Sequence, residues 1–206
     1  MVKRVAIAIA GGSCSGKTTL AHLLTRELDA TLFKIDDYYH AWDEFTFEER
    51  LQKNYDEPQA IDHRLLVKHV GEMLTGRSVE MPTYDFARFT RRPQPEVVEP
   101  KSIIVVEGLF ALAWPELSRL CDIRIFVDAP ELTCLQRRIA RDVEERGRTP
   151  ESVIERFSGH VVPMYREHVQ PTATHANLFA DGLESPVQTL NIVSGILDSL
   201  HAATLP

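Results

Sequence analysis

Residues 11–18 have the sequence GGSCSGKT, which matches the phosphate-binding motif GxxxxGK[ST]. The motif stands between an apolar run and a helical pattern, the context that a P-loop requires. Its glycines let successive backbone N–H groups point at phosphate oxygens, and the following helix adds its positive end. Lys17 is expected to reach the β- and γ-phosphates, and the Thr18 hydroxyl to bind Mg²⁺. The predicted nucleotide contacts are Gly11, Gly12, Ser13, Cys14, Ser15, Gly16, Lys17, Thr18 and Thr19.

Carboxylates follow two further apolar runs of the sequence. Asp36 and Asp37 end one run, and Glu107 ends another. In open α/β sheets, ligands bind at the carboxyl ends of the strands, where these side chains would stand. Asp36 is predicted to accept the proton of an attacking hydroxyl and to help hold Mg²⁺, and Glu107 to bind Mg²⁺ directly or through water. The alternatives are a helix cap or solvated turn for the aspartates and a solvent-facing strand end for Glu107.

A cluster of arginines stands in an otherwise acidic sequence. Its members are Arg137, Arg138, Arg141, Arg146 and Arg148. Arginines three or four positions apart share one face of a helix. Such a helix is predicted to close over the γ-phosphate as a lid, neutralising charge and excluding water. The alternative is a solvated helix face whose arginines pair with Asp142, Glu144 and Glu145.

Short apolar runs alternate with helical patterns along the chain. Strands are predicted at residues 4–10, 31–35, 102–106 and 123–127, and helices at 17–28, 62–74, 130–145, 150–161 and 187–200. This alternation predicts an α/β three-layer domain with a parallel sheet covered on both faces. Extended segments at 79–86 and 96–98 predict a β-hairpin insertion at about 79–99. No linker divides the chain, so residues 1–206 are predicted to form a single P-loop domain.

Composition excludes several classes of protein. The 23 basic and 30 acidic residues give a formal net charge of -7, which argues against a surface built for duplex nucleic acid or an anionic membrane. No apolar stretch approaches the roughly 20 residues needed to cross a bilayer. The 3 cysteines are widely spaced, which fits neither a disulfide framework nor a zinc site and favours the cytoplasm. The 8 histidines lack metal-ligand spacing and are predicted to be surface or packing residues. The absence of an NKxD sequence disfavours a GTPase switch.

Together, these segments resemble the uridine-cytidine kinases, P-loop kinases in a group that also includes phosphoribulokinase. The resemblance runs from the P-loop to about residue 180. It rests on the P-loop and on DDYY at 36–39, NYDEP at 54–58 followed by Asp62, PTYDF at 82–86, VEG at 106–108 and RRIARDVEERGR at 137–148.

The resemblance implies a five-stranded parallel sheet with a β-hairpin insertion and a helical lid at about 135–150. It implies phosphorylation of the 5′-hydroxyl of uridine or cytidine with ATP or GTP and Mg²⁺. Asp36 is then the general base, acting with Lys17 and Arg141, and Asp36, Thr18 and Glu107 assist Mg²⁺.

The resemblance also implies an acceptor site and lid contacts. Asp56 would hold the ribose hydroxyls, Tyr84 would contact the base, and Arg146 and Arg148 would contact the donor phosphates. The implied acceptor residues are Asp36, Tyr39, Asp56, Tyr84, Phe89, Arg138, Arg141 and Arg156.

The residues expected to recognise the nucleoside base depart from the family's pattern at two positions. Phe89 stands where the family commonly has a histidine, and a phenyl ring cannot distinguish the uracil O4 from the cytosine amine. Arg156 stands where glutamine is usual, and a guanidinium donates hydrogen bonds but cannot accept them. ADGL at 180–183 also replaces the usual PRGG pattern, which bears on contacts to the nucleotide donor.

Two alternative functions remain at this point. In the first alternative, the same scaffold phosphorylates a hydroxyl of another sugar or nucleoside, as phosphoribulokinase does. In the second, the protein is a nucleotide-binding regulator without turnover, which the presence of Lys17, Asp36 and Glu107 disfavours. The expected partners are a nucleoside and a nucleoside triphosphate, with neither nucleic acid nor a membrane. The resemblance further implies a homo-oligomer, often a tetramer.

Overall fold

The computed structural model describes residues 3–202. Its strands are β1 (Val5–Gly11), β2 (Thr31–Lys34), β3 (Val79–Met81), β4 (Tyr84–Asp85), β5 (Thr90–Arg91), β6 (Glu96–Val98), β7 (Ile103–Glu107), β8 (Ile123–Asp128) and β9 (Leu178–Asp181). Its α-helices are α1 (Lys17–Glu27), α2 (Phe47–Leu51), α3 (His63–Leu74), α4 (Pro115–Leu120), α5 (Glu131–Arg146), α6 (Pro150–Arg156), α7 (Val162–Met164) and α8 (Pro186–Ala202).

Five of the strands within residues 3–202 form one parallel sheet, in the order β2-β7-β1-β8-β9. The central strand β1 is buried along its whole length. Its larger side chains, such as Ile7 and Ile9, pack with α1 and α8, whereas its alanines face the layer that contains α3 and α4. The predicted α/β three-layer fold is therefore confirmed. The edge strand β9 was not among the predicted strands, and it has only one buried residue, Ala180.

The insertion forms two small antiparallel pairs instead of a single hairpin. β3 pairs with β6, and β4 pairs with β5. The prediction of one extended segment over 79–86 was wrong in this detail. Pro82 lies between β3 and β4, where its missing N–H prevents a continuous ladder of hydrogen bonds. That interruption turns Tyr84 towards the main body of the protein, where it is buried.

The helical run that follows α5 is irregular. Wide π turns occupy Phe157–Val161 and Tyr165–Val169, on either side of α7. A proline in a helix offers no N–H and crowds the carbonyl four residues earlier. Pro163 and Pro171 follow the two π turns, which relieve that crowding by widening the helix. The helix predicted over 150–161 is therefore α-helical only to Arg156.

The helices of residues 3–202 differ in length and hydropathy from those that cross a bilayer. None of them is both long enough and apolar enough to span a membrane.

Candidate active site

The P-loop joins β1 to α1 and depends on glycine at two positions. Gly11 has φ +150°, and a Cβ there would lie 2.4 Å from the Val127 carbonyl oxygen. Gly16 has φ +109° and caps the N-terminus of α1. Only glycine adopts these conformations without strain. The loop thus brings backbone N–H groups and the positive end of α1 to one place.

Thr18 and Glu107 meet at the edge of the sheet. The Thr18 hydroxyl donates to Glu107, with Oγ1 3.0 Å from Oε2. Glu107 ends β7 and is buried, and the register pairs it with Ile9 of β1 and Lys34 of β2. This register explains why a carboxylate far along the sequence stands beside the P-loop. The alternative of a solvent-facing Glu107 is wrong, because the residue is only 5% exposed.

Asp36 lies in a 3-10 turn (Ile35–Tyr38) directly after β2. Burial raises the pKa of its carboxyl to about 6; nearby Lys17 opposes that rise, and Glu107 adds to it. The neighbouring Asp37 points elsewhere, since its Oδ1 accepts a hydrogen bond from the Tyr84 backbone N–H at 3.3 Å. The two adjacent aspartates therefore differ: Asp36 faces the P-loop and Asp37 supports the insertion.

Helix α5 is fastened to the P-loop by arginines. Arg137 donates to the carbonyl oxygens of Gly182 at 2.9 Å and Cys14 at 3.3 Å. Arg138 donates to the Ser13 hydroxyl at 2.9 Å. The loop between β9 and α8 approaches so closely that a Cβ at Gly182 would lie 2.1 Å from the Ser15 carbonyl oxygen. The ADGL segment spans the end of β9 and the start of this loop.

Asp142 collects the other arginines of the cluster. Its side chain is fully buried, and its carboxylate lies 2.8 Å from Arg141 Nη2, 3.3 Å from Arg148 Nη1 and 3.4 Å from Arg146 Nη1. Burial alone would raise the pKa of Asp142, but the arginines, Arg141 foremost, outweigh burial and lower it. The arginines thus form ion pairs with Asp142, as expected of a solvated helix face, but the Asp142 carboxylate is buried in the interior.

Aromatic rings form the opposite side of the site. Tyr39 and Tyr55 have ring centroids 5.1 Å apart, Tyr84 and Phe86 5.2 Å, and Tyr55 and Phe89 5.5 Å. Phe89 has φ 54°, a left-handed conformation that is uncommon for a residue other than glycine. Burial raises the pKa of the Tyr39 and Tyr84 hydroxyls, so both stay neutral. These rings offer flat apolar surfaces of the kind on which a planar base stacks.

Asp56 stands in a loop beside these rings. Its backbone N–H donates to Asn54 Oδ1 at 3.0 Å. The same Asn54 oxygen lies 2.8 Å from His160 Nε2, which is also 3.5 Å from Asp56 Oδ2. The half-buried His160 was predicted only to be a surface or packing residue, and this contact adds to that role. Nothing in the sequence pointed to this contact, since His160 follows Asn54 by 106 residues.

One open cavity of about 880 Å³ joins these groups. Its wall includes every predicted catalytic, metal and acceptor residue, from Lys17 and Asp36 to Phe89 and Arg156. Among the predicted nucleotide contacts, Gly11, Gly12 and Ser15 do not line it; Gly12 and Ser15 face a smaller neighbouring cavity. The wall also contains residues that sequence reasoning did not assign, including Tyr55, Leu109, Val127, Glu184, Pro186 and Thr189. We name the wall formed by the P-loop and residues 137–148 the arginine side, and the wall formed by Tyr39, Tyr55, Tyr84, Phe86, Phe89 and Asp56 the aromatic side.

Comparisons with known proteins agree with this geometry. The sequence model of the Phosphoribulokinase / Uridine kinase family matches residues 6–185. Uridine kinase from Macrococcus caseolyticus (strain JCSC5402) is 40% identical over 203 residues, covering 97% of this chain and 98% of its own. Uridine kinase from Chloroflexus aurantiacus (strain ATCC 29366 / DSM 635 / J-10-fl) is 39% identical over 202 residues, covering 96% and 97%.

A solved structure supports the fold. Phosphoribulokinase from Rhodobacter spheroides superposes with a TM-score of 0.59 at 17% identity, covering 88% of this chain and 71% of that chain. Likeness at such low identity concerns the fold alone, whereas the family match covers most of the sequence. The resemblance stated from the motifs is confirmed: the chain belongs to the phosphoribulokinase / uridine kinase family.

Proposed function

We propose that this protein transfers the γ-phosphoryl group of ATP or GTP to the 5′-hydroxyl of uridine or cytidine, a step of pyrimidine salvage. The observation that carries the proposal is the convergence of Lys17, Asp36 and Glu107 in one cavity, with the pKa of Asp36 raised to about 6. Relatives about 40% identical over nearly the whole chain carry the name uridine kinase. The convergence supplies the chemistry, and the relatives indicate the acceptor.

The donor binds on the arginine side in this proposal. Backbone N–H groups of the P-loop and Lys17 hold the β- and γ-phosphates. The arginines around Asp142 then face the γ-phosphate and take up charge that develops during transfer. Closure of α5 over the phosphates excludes water, which limits hydrolysis of the donor.

Thr18, Glu107 and Asp36 fit a magnesium ion. All three offer hard oxygen atoms, the donors that Mg²⁺ prefers. Within residues 3–202 no group of three or more His, Cys, Asp or Glu residues is arranged to hold a metal. That fits an ion that takes most of its ligands from water and substrate phosphates. When bound, Mg²⁺ neutralises charge on the β- and γ-phosphate oxygens.

Asp36 acts as the general base. The 5′-oxygen attacks the γ-phosphorus, the new O–P bond forms as the bond to the leaving nucleoside diphosphate breaks, and the hydroxyl proton passes to Asp36. A pKa of about 6 keeps Asp36 mostly ionised at pH 7. It also makes Asp36 a stronger base than an ordinary aspartate, because base strength rises with pKa.

The acceptor binds on the aromatic side. Asp56 accepts hydrogen bonds from the ribose hydroxyls, and a deoxyribonucleoside would leave part of that carboxylate unpaired. The base stacks among Tyr84, Phe86 and Phe89. Because Phe89 has no polar group, it does not separate uracil from cytosine.

The test is nucleoside diphosphate release by the purified protein with Mg²⁺ and either ATP or GTP. The acceptors are uridine, cytidine, their 2′-deoxy forms and ribulose 5-phosphate, with a reaction lacking acceptor as the control. We expect release with both ribonucleosides and much less with the deoxy forms. Release only with ribulose 5-phosphate would assign the site to another hydroxyl, and release no faster than in the control would reject the proposed reaction.

A further inference from the structure

His160 makes a defined contact with the acceptor loop. Asn54 Oδ1 accepts the Asp56 backbone N–H, and Asn54 Nδ2 donates to Glu57 Oε1, so the orientation of the Asn54 amide is fixed by its neighbours. The atom that faces His160 is therefore an acceptor. It follows that His160 Nε2 carries the proton and donates at 2.8 Å.

The same N–H also faces Asp56. His160 Nε2 lies 3.5 Å from Asp56 Oδ2, a close approach beyond the usual range of an N–H···O hydrogen bond. Within residues 3–202 the structure shows no hydrogen bond to either oxygen of the Asp56 carboxylate. The backbone of Asp56 is thus held through Asn54, while its carboxylate remains available to a ligand.

The fold brings His160 to this place through its irregular helix. His160 belongs to the π turn Phe157–Val161, in which Phe157 and Val161 are buried and His160 is half-buried. A π turn contains one residue more than an α turn and so shifts which side chains face a neighbour. π turns inside helices occur frequently at functional sites. This one follows the arginine-bearing segment along the chain and ends against the loop that carries Asp56.

We propose that His160 is a positioning residue of the acceptor site: it holds the Asn54 amide, whose oxygen accepts the Asp56 backbone N–H, so that the Asp56 carboxylate faces the ribose hydroxyls. This inference rests on the proposed function, because it requires a ribose acceptor at Asp56. It assigns to His160 no contact with the reacting atoms. Its effect is therefore on acceptor affinity and on selection of ribose over deoxyribose.

Variants at position 160 test the proposal. His160→Phe keeps a ring but removes the donor, and His160→Gln keeps an amide N–H near the position of Nε2. His160→Asn is too short to reach, and it replaces His160→Phe should that variant fail to fold. His168→Phe is the matched control: it lies in the same helical run, and its Nε2 is 3.7 Å from Glu167. Thermal melting of each variant shows whether it is folded.

We expect His160→Phe to raise the KM for uridine about tenfold, the value of one hydrogen bond, with kcat and the KM for ATP nearly unchanged. Turnover of 2′-deoxyuridine should change little, so the preference for uridine narrows by the same factor. His160→Gln should recover most of the loss. A His160→Gln variant as poor as His160→Phe, or equal losses for uridine and 2′-deoxyuridine, would overturn the role of His160.

The wild-type reaction separates this proposal from the one on which it rests. If the wild type phosphorylates uridine and every position-160 variant has the same kinetics as the wild type, only the role of His160 is overturned. Absence of turnover by the wild type, together with no uridine binding in calorimetry, overturns both. Ribose selection that narrows in His160→Phe and returns in His160→Gln supports both.

Discussion

The arginine side and the aromatic side of the cavity differ in the groups that surround a carboxylate. On the arginine side, cations outnumber carboxylates, and a single buried Asp142 is shared among Arg141, Arg146 and Arg148. On the aromatic side, Asp56 shares a wall with aromatic rings, and His160 lies 3.5 Å from its carboxylate. The first wall is suited to polyphosphates, and the second to a neutral, partly aromatic molecule.

Two carboxylates show what this difference does to acidity. Asp36, at the junction of the two sides, has its pKa raised to about 6 by burial, and Lys17 only partly offsets that effect. Asp142 has its pKa lowered, because its arginines overcome the cost of burial. Paired groups whose environments push their pKa values apart have separate tasks. We assign proton transfer to Asp36 and the positioning of arginines to Asp142.

The largest effect is expected from Asp36→Asn. The amide cannot accept a proton, so kcat should fall by about 10³-fold, within the range that a general base contributes. Steady-state kinetics with ATP and uridine measure it. Asp37→Asn is the matched control, since its amide oxygen still accepts the Tyr84 N–H, and its kcat should stay close to the wild-type value. Equal losses in the two variants would remove the distinction between Asp36 and its neighbour.

Asp142→Asn should act on the donor. Without the carboxylate, the arginines repel each other and lose their common anchor, and we expect kcat/KM for ATP to fall about 100-fold because misplaced groups cost that much. The free energy of unfolding should fall by about 2 kcal/mol, less than for a fully buried pair because the Arg146 side chain is 47% exposed. Glu144→Gln, on the exposed surface of the same helix, is the control. An effect on the KM for uridine alone would contradict the assignment of Asp142 to the arginine side.

Phe89→His tests the aromatic side alone. A histidine there restores a polar group near the base, and we expect the ratio of kcat/KM for cytidine and uridine to shift about tenfold in one direction. The KM for ATP should not change, because Phe89 contacts rings and not the P-loop. Competition between the two nucleosides in one reaction measures the ratio directly. An unchanged ratio would mean that Phe89 does not face the base.

The arginine side could be predicted from the sequence more readily than the aromatic side. The arginine side comes from two contiguous segments, 11–18 and 137–148. The spacing of the motif residues in the first segment and of the arginines in the second predicts a phosphate site. The aromatic side is assembled from separate segments that meet only through folding. Asp56 and Tyr84 were found through family resemblance, and His160 was missed because its contact depends on a π turn beside Pro163. The burial of Asp142 was likewise hidden, since a charged residue among arginines resembles a solvated helix face until the fold encloses it.

Stability against pH gives the smallest but most direct comparison of the two carboxylates. The pKa of Asp36 is about 6 in the native protein against an ordinary 3.8, so the native state keeps a proton that the unfolded chain releases between these values. The contribution of Asp36 to the stability therefore falls as pH rises from about 4 to 6. Asp36→Asn should melt about 6 °C higher than the wild type at pH 8, with the gap closing towards pH 4. Asp142 has the opposite sign: its lowered pKa contributes stability above about pH 4 that is lost on further acidification. Asp142→Asn should consequently melt below the wild type at pH 8, with a smaller gap in acid. Melting curves in EDTA without nucleotide measure both gaps, and gaps of the same sign would contradict the opposed environments on which the assignment of the two carboxylates depends.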